Sequence, residues 1–97
     1  MNRKNEPQTL GDAIKEFLDQ FKNNDRLLES KAITAWSAVM GPNISKYTQE
    51  LHFKKGKLYV SLSSPVLKNE LVMYRRKIVN SLNQYIGIEI VTDVVIR

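Results

Sequence analysis

The apolar residues of this 97-residue chain change their spacing once, and that change limits the folds open to it. Up to Val39 they recur every three or four positions; from Leu51 to Leu62 they recur every second position. The first period gives a helix one buried face, and the second gives a strand one buried face. A chain that does one and then the other has to lay helices against a sheet.

Leu10, Ala13, Ile14, Phe17, Leu18 and Phe21 predict a first helix, with Thr9 as its cap and Asp12 in the capping-box place. The run "KNND", Lys22 to Asp25, breaks it, and Asp25 is placed to cap a second helix. That helix uses Leu27, Leu28, Ala32, Ile33, Ala35, Trp36 and Val39, and "MGP", Met40 to Pro42, stops it. Residues 42–47 leave room for one further turn. Leu51 and Phe53 then alternate with Glu50, His52 and Lys54, and Leu58, Val60 and Leu62 alternate with Lys57, Tyr59 and Ser61. A two-residue turn at Lys55-Gly56 makes a hairpin that pairs Phe53 with Leu58 and Leu51 with Val60. A slip of one residue would turn the apolar set to water, so this register is self-consistent.

Ser64 caps and Pro65 opens a third helix, expected to run to Ile86 and end at Gly87. Its apolar stripe is Leu67, Leu71, Tyr74, Ile78, Leu82 and Tyr85, widened by Val72, Val79 and Ile86. Ile88, Ile90, Val94 and Ile96 predict a last strand. The order α-α-β-β-α-β gives a two-layer α+β fold, a three-stranded sheet with helices on one face. Residues 1–8 read as a flexible tail and residues 9–97 as one domain, a length that buries roughly two thirds of the unfolded surface.

Charge is uneven. Residues 1–45 hold six cations and six acids, whereas residues 46–77 hold eight cations (Lys46, Lys54, Lys55, Lys57, Lys68, Arg75, Arg76 and Lys77) against Glu50 and Glu70. A localised excess points to an anionic partner better than diffuse basicity does. The chain has no cysteine, which removes disulfides, thiolate zinc sites and cysteine nucleophiles. No apolar run approaches the ~20 residues of a membrane span, and no secretory signal opens the chain, so a soluble cytoplasmic protein without membrane contact is expected. There is no phosphate loop, Gly-x-Ser-x-Gly or His-Glu-x-x-His, and His52 alone cannot build a metal site. No enzyme, cofactor or metal is expected.

The ordered set Trp36 and Gly41, Tyr47-Thr48, the Gly-x-Leu-x-Val hairpin of Gly56, Leu58 and Val60, Ser63-Ser64, Glu70-Leu71, Leu82-Asn83 and Gly87 resembles the DciA family, over about residues 10–97. The resemblance implies a KH-like folded domain and an accessory role in loading or operating the bacterial replicative helicase, DnaB. The Gly-x-x-Gly that clamps a nucleic-acid backbone in KH modules is absent, since the glycines are Gly11, Gly41, Gly56 and Gly87. That absence also counts against an RNA-binding role.

The candidate site is a nucleic-acid surface. Lys54, Lys55, Lys57, Lys68, Arg76 and Lys77 would contact phosphates of single-stranded DNA, with Tyr59 as a stacking partner. Lys54 and Lys57 face each other as like charges, a conflict that a phosphate would relieve. Arg75 falls inside the apolar arc of the third helix, so it must snorkel, meet an acid or serve a partner. Trp36 reads as core and His52 as a solvent-facing strand residue opposite Tyr59. The rival reading is a protein-interaction module without nucleic-acid binding, using the hairpin edge or the acidic face of helix one (Asp12, Glu16, Asp19). On that reading the cations only solubilise.

Overall fold

The computed structural model describes residues 9–22 and 24–97, and the side chains of residues 17, 18 and 20–22 lie outside that description, as does the expected tail Met1 to Gln8. The elements are α1 (Leu10–Lys22), α2 (Asp25–Ser45), β1 (Thr48–Lys54), β2 (Lys57–Leu62), α3 (Pro65–Val72), α4 (Arg75–Ile86) and β3 (Asp93–Ile96). The α+β class is that expected, and so is the order of elements save that two helices stand where one was expected before β3.

The Asp12 N–H donates to Thr9 Oγ1 at 3.1 Å, so α1 starts on its predicted cap. Asn24, not Asp25, caps α2: its side-chain oxygen accepts from the Leu27 N–H at 3.0 Å. Asp25 becomes the acid of the first turn, where the helix dipole favours it. Gly41 (φ 80°, ψ 176°) kinks the helix, and Pro42 opens the further turn that ends at Ser45.

The hairpin has the predicted register, Leu51 with Val60, Phe53 with Leu58 and Lys54 with Lys57. Lys55 (φ 52°) and Gly56 (φ 84°) both take left-handed backbone, as a two-residue turn that matches strand twist requires. β3 joins the other side of β2 in parallel, giving a mixed sheet of order β1-β2-β3.

The single third helix is corrected to two. The N–H groups of Met73 and Tyr74 fall back on the carbonyls of Glu70 and Leu71, at 3.2 and 3.0 Å, and a new helix begins at Arg75. An unbroken helix from Pro65 to Ile86 would be ~33 Å long at 1.5 Å per residue. In the fold α3 packs against β2 and β3 while α4 packs against α2 and β3, and the six-residue β2 spans only ~20 Å. Breaking the helix lets both halves reach the core. Leu71, Ile78 and Leu82 are buried as expected, but Tyr74 and Tyr85 are 47% and 56% exposed.

Trp36 is fully buried in one apolar cluster with Ala32, Leu58, Val60, Leu82 and Val94. Its indole N–H donates to Thr48 Oγ1 at 3.1 Å, and that hydroxyl donates to the Ile44 carbonyl, tying α2 to β1. The expected last strand is also shorter, since regular pairing begins only at Asp93. Residues Ile90 and Val91 before it are buried in irregular backbone, and the side chain of Asn83, itself buried, satisfies that backbone. Asn83 Oδ1 accepts from the Ile90 and Val91 N–H groups at 3.1 and 2.9 Å, and Nδ2 donates to the Val91 carbonyl at 2.8 Å.

Candidate nucleic-acid interface

The helices lie on the face of the sheet that carries Phe53, Leu58, Val60, Val94 and Ile96. Pleating sends the alternate residues to the other face, where none is buried. The pairing arranges these outward residues in rows. One row is Lys54, Lys57 and Asp93; the next is His52, Tyr59 and Val95. Arg97 continues the ladder beyond β3, exchanging backbone hydrogen bonds with Val60 and Leu62 at 2.9 Å. Its guanidinium lies 5.2 Å from the centre of the Tyr59 ring. The His52 ring stands 6.3 Å from Tyr59, and its Nδ1 is 3.1 Å from Glu29 Oε2 on α2.

Arg75 proves to be exposed and paired with an acid. Its Nε stands 3.7 Å from Asp93 Oδ1, with both side chains partly exposed. Asp93 is the register partner of Lys57, so cations continue from the hairpin tip across β3 to the start of α4. Arg76 and Lys77 follow there, both exposed, and the Lys77 ammonium lies 5.8 Å from the centre of the Tyr74 ring. Lys68 sits half-buried on α3. The structure thus gathers Lys54, Lys55, Lys57 and Tyr59 on the hairpin and links Arg75 to them through Asp93. Arg76, Lys77 and Lys68 belong to the helix layer rather than to the open sheet face.

On the other side of the hairpin tip, α2 and the loop before β3 enclose a groove of about 670 Å³. It mixes Asp25, Glu29 and Glu89 with Arg26, Lys54 and Lys55, so it offers an anion no net attraction. Among the described residues no group of three or more His, Cys, Asp or Glu side chains could hold a metal ion. No described helix is long and apolar enough to cross a membrane.

Sequence reasoning missed Arg97, Asp93 and Asn83. The alternation of Val94 and Ile96 was the available signal for Asp93 and Arg97, because it sends both to the outer face. For Asn83 the signal was its place between Val79 and Ile86 on the apolar arc of α4.

Fold and surface define a small α+β module with cations reaching from a hairpin tip to a helix start. The chain matches the family model described as Dna[CI] antecedent, DciA, over residues 9–96. It therefore belongs to the DciA family, and its general role is that of a helicase-loading factor in DNA replication. No curated protein and no solved structure matches it.

Proposed function

We propose that this protein binds single-stranded DNA in the cytoplasm and holds it beside the replicative helicase that it helps to load. Lys54, Lys55 and Lys57 contact phosphates at the hairpin tip, and Arg76 and Lys77, with Lys68 behind them, extend the path over α3 and α4. Arg75 joins the two stretches while neutralising Asp93. The observation that carries this reading is the row Lys54, Lys57, Asp93, Arg75, in which three cations face one acid. Contacts of this kind bring affinity with little sequence choice. Five phosphate contacts on a single strand give a salt slope of about −3.5, so raising salt from ~50 to ~200 mM should cost roughly a hundredfold in affinity.

The rival is a pure protein-interaction module. It is favoured by the apolar side chains left outside the core, among them Leu10 on α1 and Val66 and Met73 around α3, each more than three-quarters exposed (78, 76 and 77%). One experiment separates the two. Purified helicase is captured with and without single-stranded DNA, using wild type and the combined Lys54→Glu, Lys57→Glu, Arg76→Glu, Lys77→Glu variant. The DNA-binding reading expects the variant to melt near wild type and to lose low-salt binding to an oligonucleotide. Helicase capture by a wild type that binds no oligonucleotide at low salt would establish the rival.

A further inference from the structure

The outward face of the sheet is more than a wet surface with lysines at one end. Its middle row, His52, Tyr59 and Val95, carries no acid and no obligate cation. The row beside it is Lys54, Lys57 and Asp93, and the opposite border holds Glu50, Ser61 and Arg97, so cations outnumber acids three to two along the two borders. An aromatic strip with paired lysines on one border and an arginine on the other suits a strand whose bases are unpaired, with rings over the strip and phosphates along the lysine border.

We propose that this open face is a stacking platform for unpaired nucleic-acid bases, with Tyr59 as its floor and the Arg97 guanidinium as a second tier. The proposal rests on the single-strand reading above and adds to it: bases, as well as phosphates, are bound. The Arg97 guanidinium, 5.2 Å from the Tyr59 centroid, is a flat cation on which a base can stack, or which a base can replace. His52, held by Glu29 at 3.1 Å and standing 6.3 Å from Tyr59, closes the strip on the β1 side. Val95, the register partner of Tyr59, closes it on the β3 side. A duplex presents no free base face to such a strip, so the ligand class is single-stranded nucleic acid.

The test compares two probes with the same number of phosphates, oligo(dT) of 15 nucleotides and a 15-mer of abasic tetrahydrofuran units, by fluorescence anisotropy at low salt. Stacking is lost from the abasic probe, and alanine substitutions elsewhere put it at roughly 5- to 150-fold per base. Wild type should therefore prefer oligo(dT) by about tenfold or more. Tyr59→Leu should bring the ratio close to one while leaving abasic binding within about twofold, and Tyr59→Phe should keep the ratio. Arg97→Lys, which preserves charge without the planar group, should lower the ratio part of the way. Thermal melts of each variant should lie near wild type, since Tyr59 lies outside the core. Equal wild-type binding of the two probes overturns the platform and leaves the phosphate reading standing. No binding of either probe overturns both. A Tyr59→Leu variant that keeps the ratio but loses helicase capture makes this face a protein surface and refutes the proposal.

Discussion

Asn83→Ala should be the most damaging single change to this fold outside the apolar core. Asn83 lies 9% exposed and makes three hydrogen bonds to the backbone of Ile90 and Val91, two as acceptor and one as donor. Alanine fills none of these roles: the Ile90 N–H keeps the Ile88 carbonyl at 3.1 Å, but the Val91 N–H and carbonyl lose the partner that Asn83 gives them. Each bond contributes a net ~1 kcal/mol, and each buried group left without a partner costs ~1–3 kcal/mol. A loss of about 3 kcal/mol follows, against a total of ~5–15 kcal/mol for a domain. At this size that lowers the melting temperature by roughly 12–24 °C. Urea and thermal denaturation followed by circular dichroism measure it. Asn83→Asp is the companion: it keeps an acceptor for both N–H groups but aims a carboxylate oxygen at the Val91 carbonyl. Protonation restores a donor there, so its deficit relative to wild type should shrink as the pH is lowered. A loss below ~1 kcal/mol in Asn83→Ala would refute the reasoning, and burial of Ile90 and Val91 would then suffice to hold the start of β3.

Gly56→Ala should cost about 1–2 kcal/mol, because alanine at a φ of 84° is strained and its Cβ would lie 2.9 Å from Thr92 Oγ1; a urea midpoint unchanged from wild type would show that the turn relaxes freely. Arg75→Ala should shift stability by less than ~0.5 kcal/mol, since the pair with Asp93 is partly exposed and 3.7 Å apart. A larger loss by the same assay would make Arg75 a structural residue rather than a link in a cationic path.

The hairpin was legible because its alternation admits one register: moving by one residue would bring Lys54 and Lys57 inside and Phe53 and Leu58 out. The burial of Trp36 was legible for a similar reason, being fixed by Ile33 and Val39 along one helix face. The break between α3 and α4 was not. No glycine or proline marks it, and the 3.6-residue period runs on through Leu71, Ile78 and Leu82. It answers to the different neighbours of the two halves, β2 and β3 for α3 and α2 and β3 for α4, which no local window contains. The exposure of Tyr74, which lies at the break, follows from it; nothing in the break accounts for that of Tyr85. The Gly-x-x-Gly of KH modules marks a loop, whereas Asp93 sits in β3 and Arg97 directly follows it, where only the alternation of Val94 and Ile96 points to them.

The break also changes what the run Tyr74-Arg75-Arg76-Lys77 means. On one long helix it is a mid-helix cluster, and Arg75 falls awkwardly within an apolar arc. In the folded chain Arg75, Arg76 and Lys77 are the first turn of α4, Tyr74 supplies no side-chain cap, and the first turn holds no acid. Cations belong at the other end of a helix; at the amino end each opposes the dipole by ~0.3–1 kcal/mol. Asp93 answers for only one of them. The same three charges placed at the far end of α4 would solubilise the protein equally well and stabilise the helix. At the amino end they are offset in part, Arg75 by Asp93 and Lys77 by the Tyr74 ring, and an anion approaching from outside would gain from both the charges and the helix dipole, as the proposed nucleic-acid contact requires.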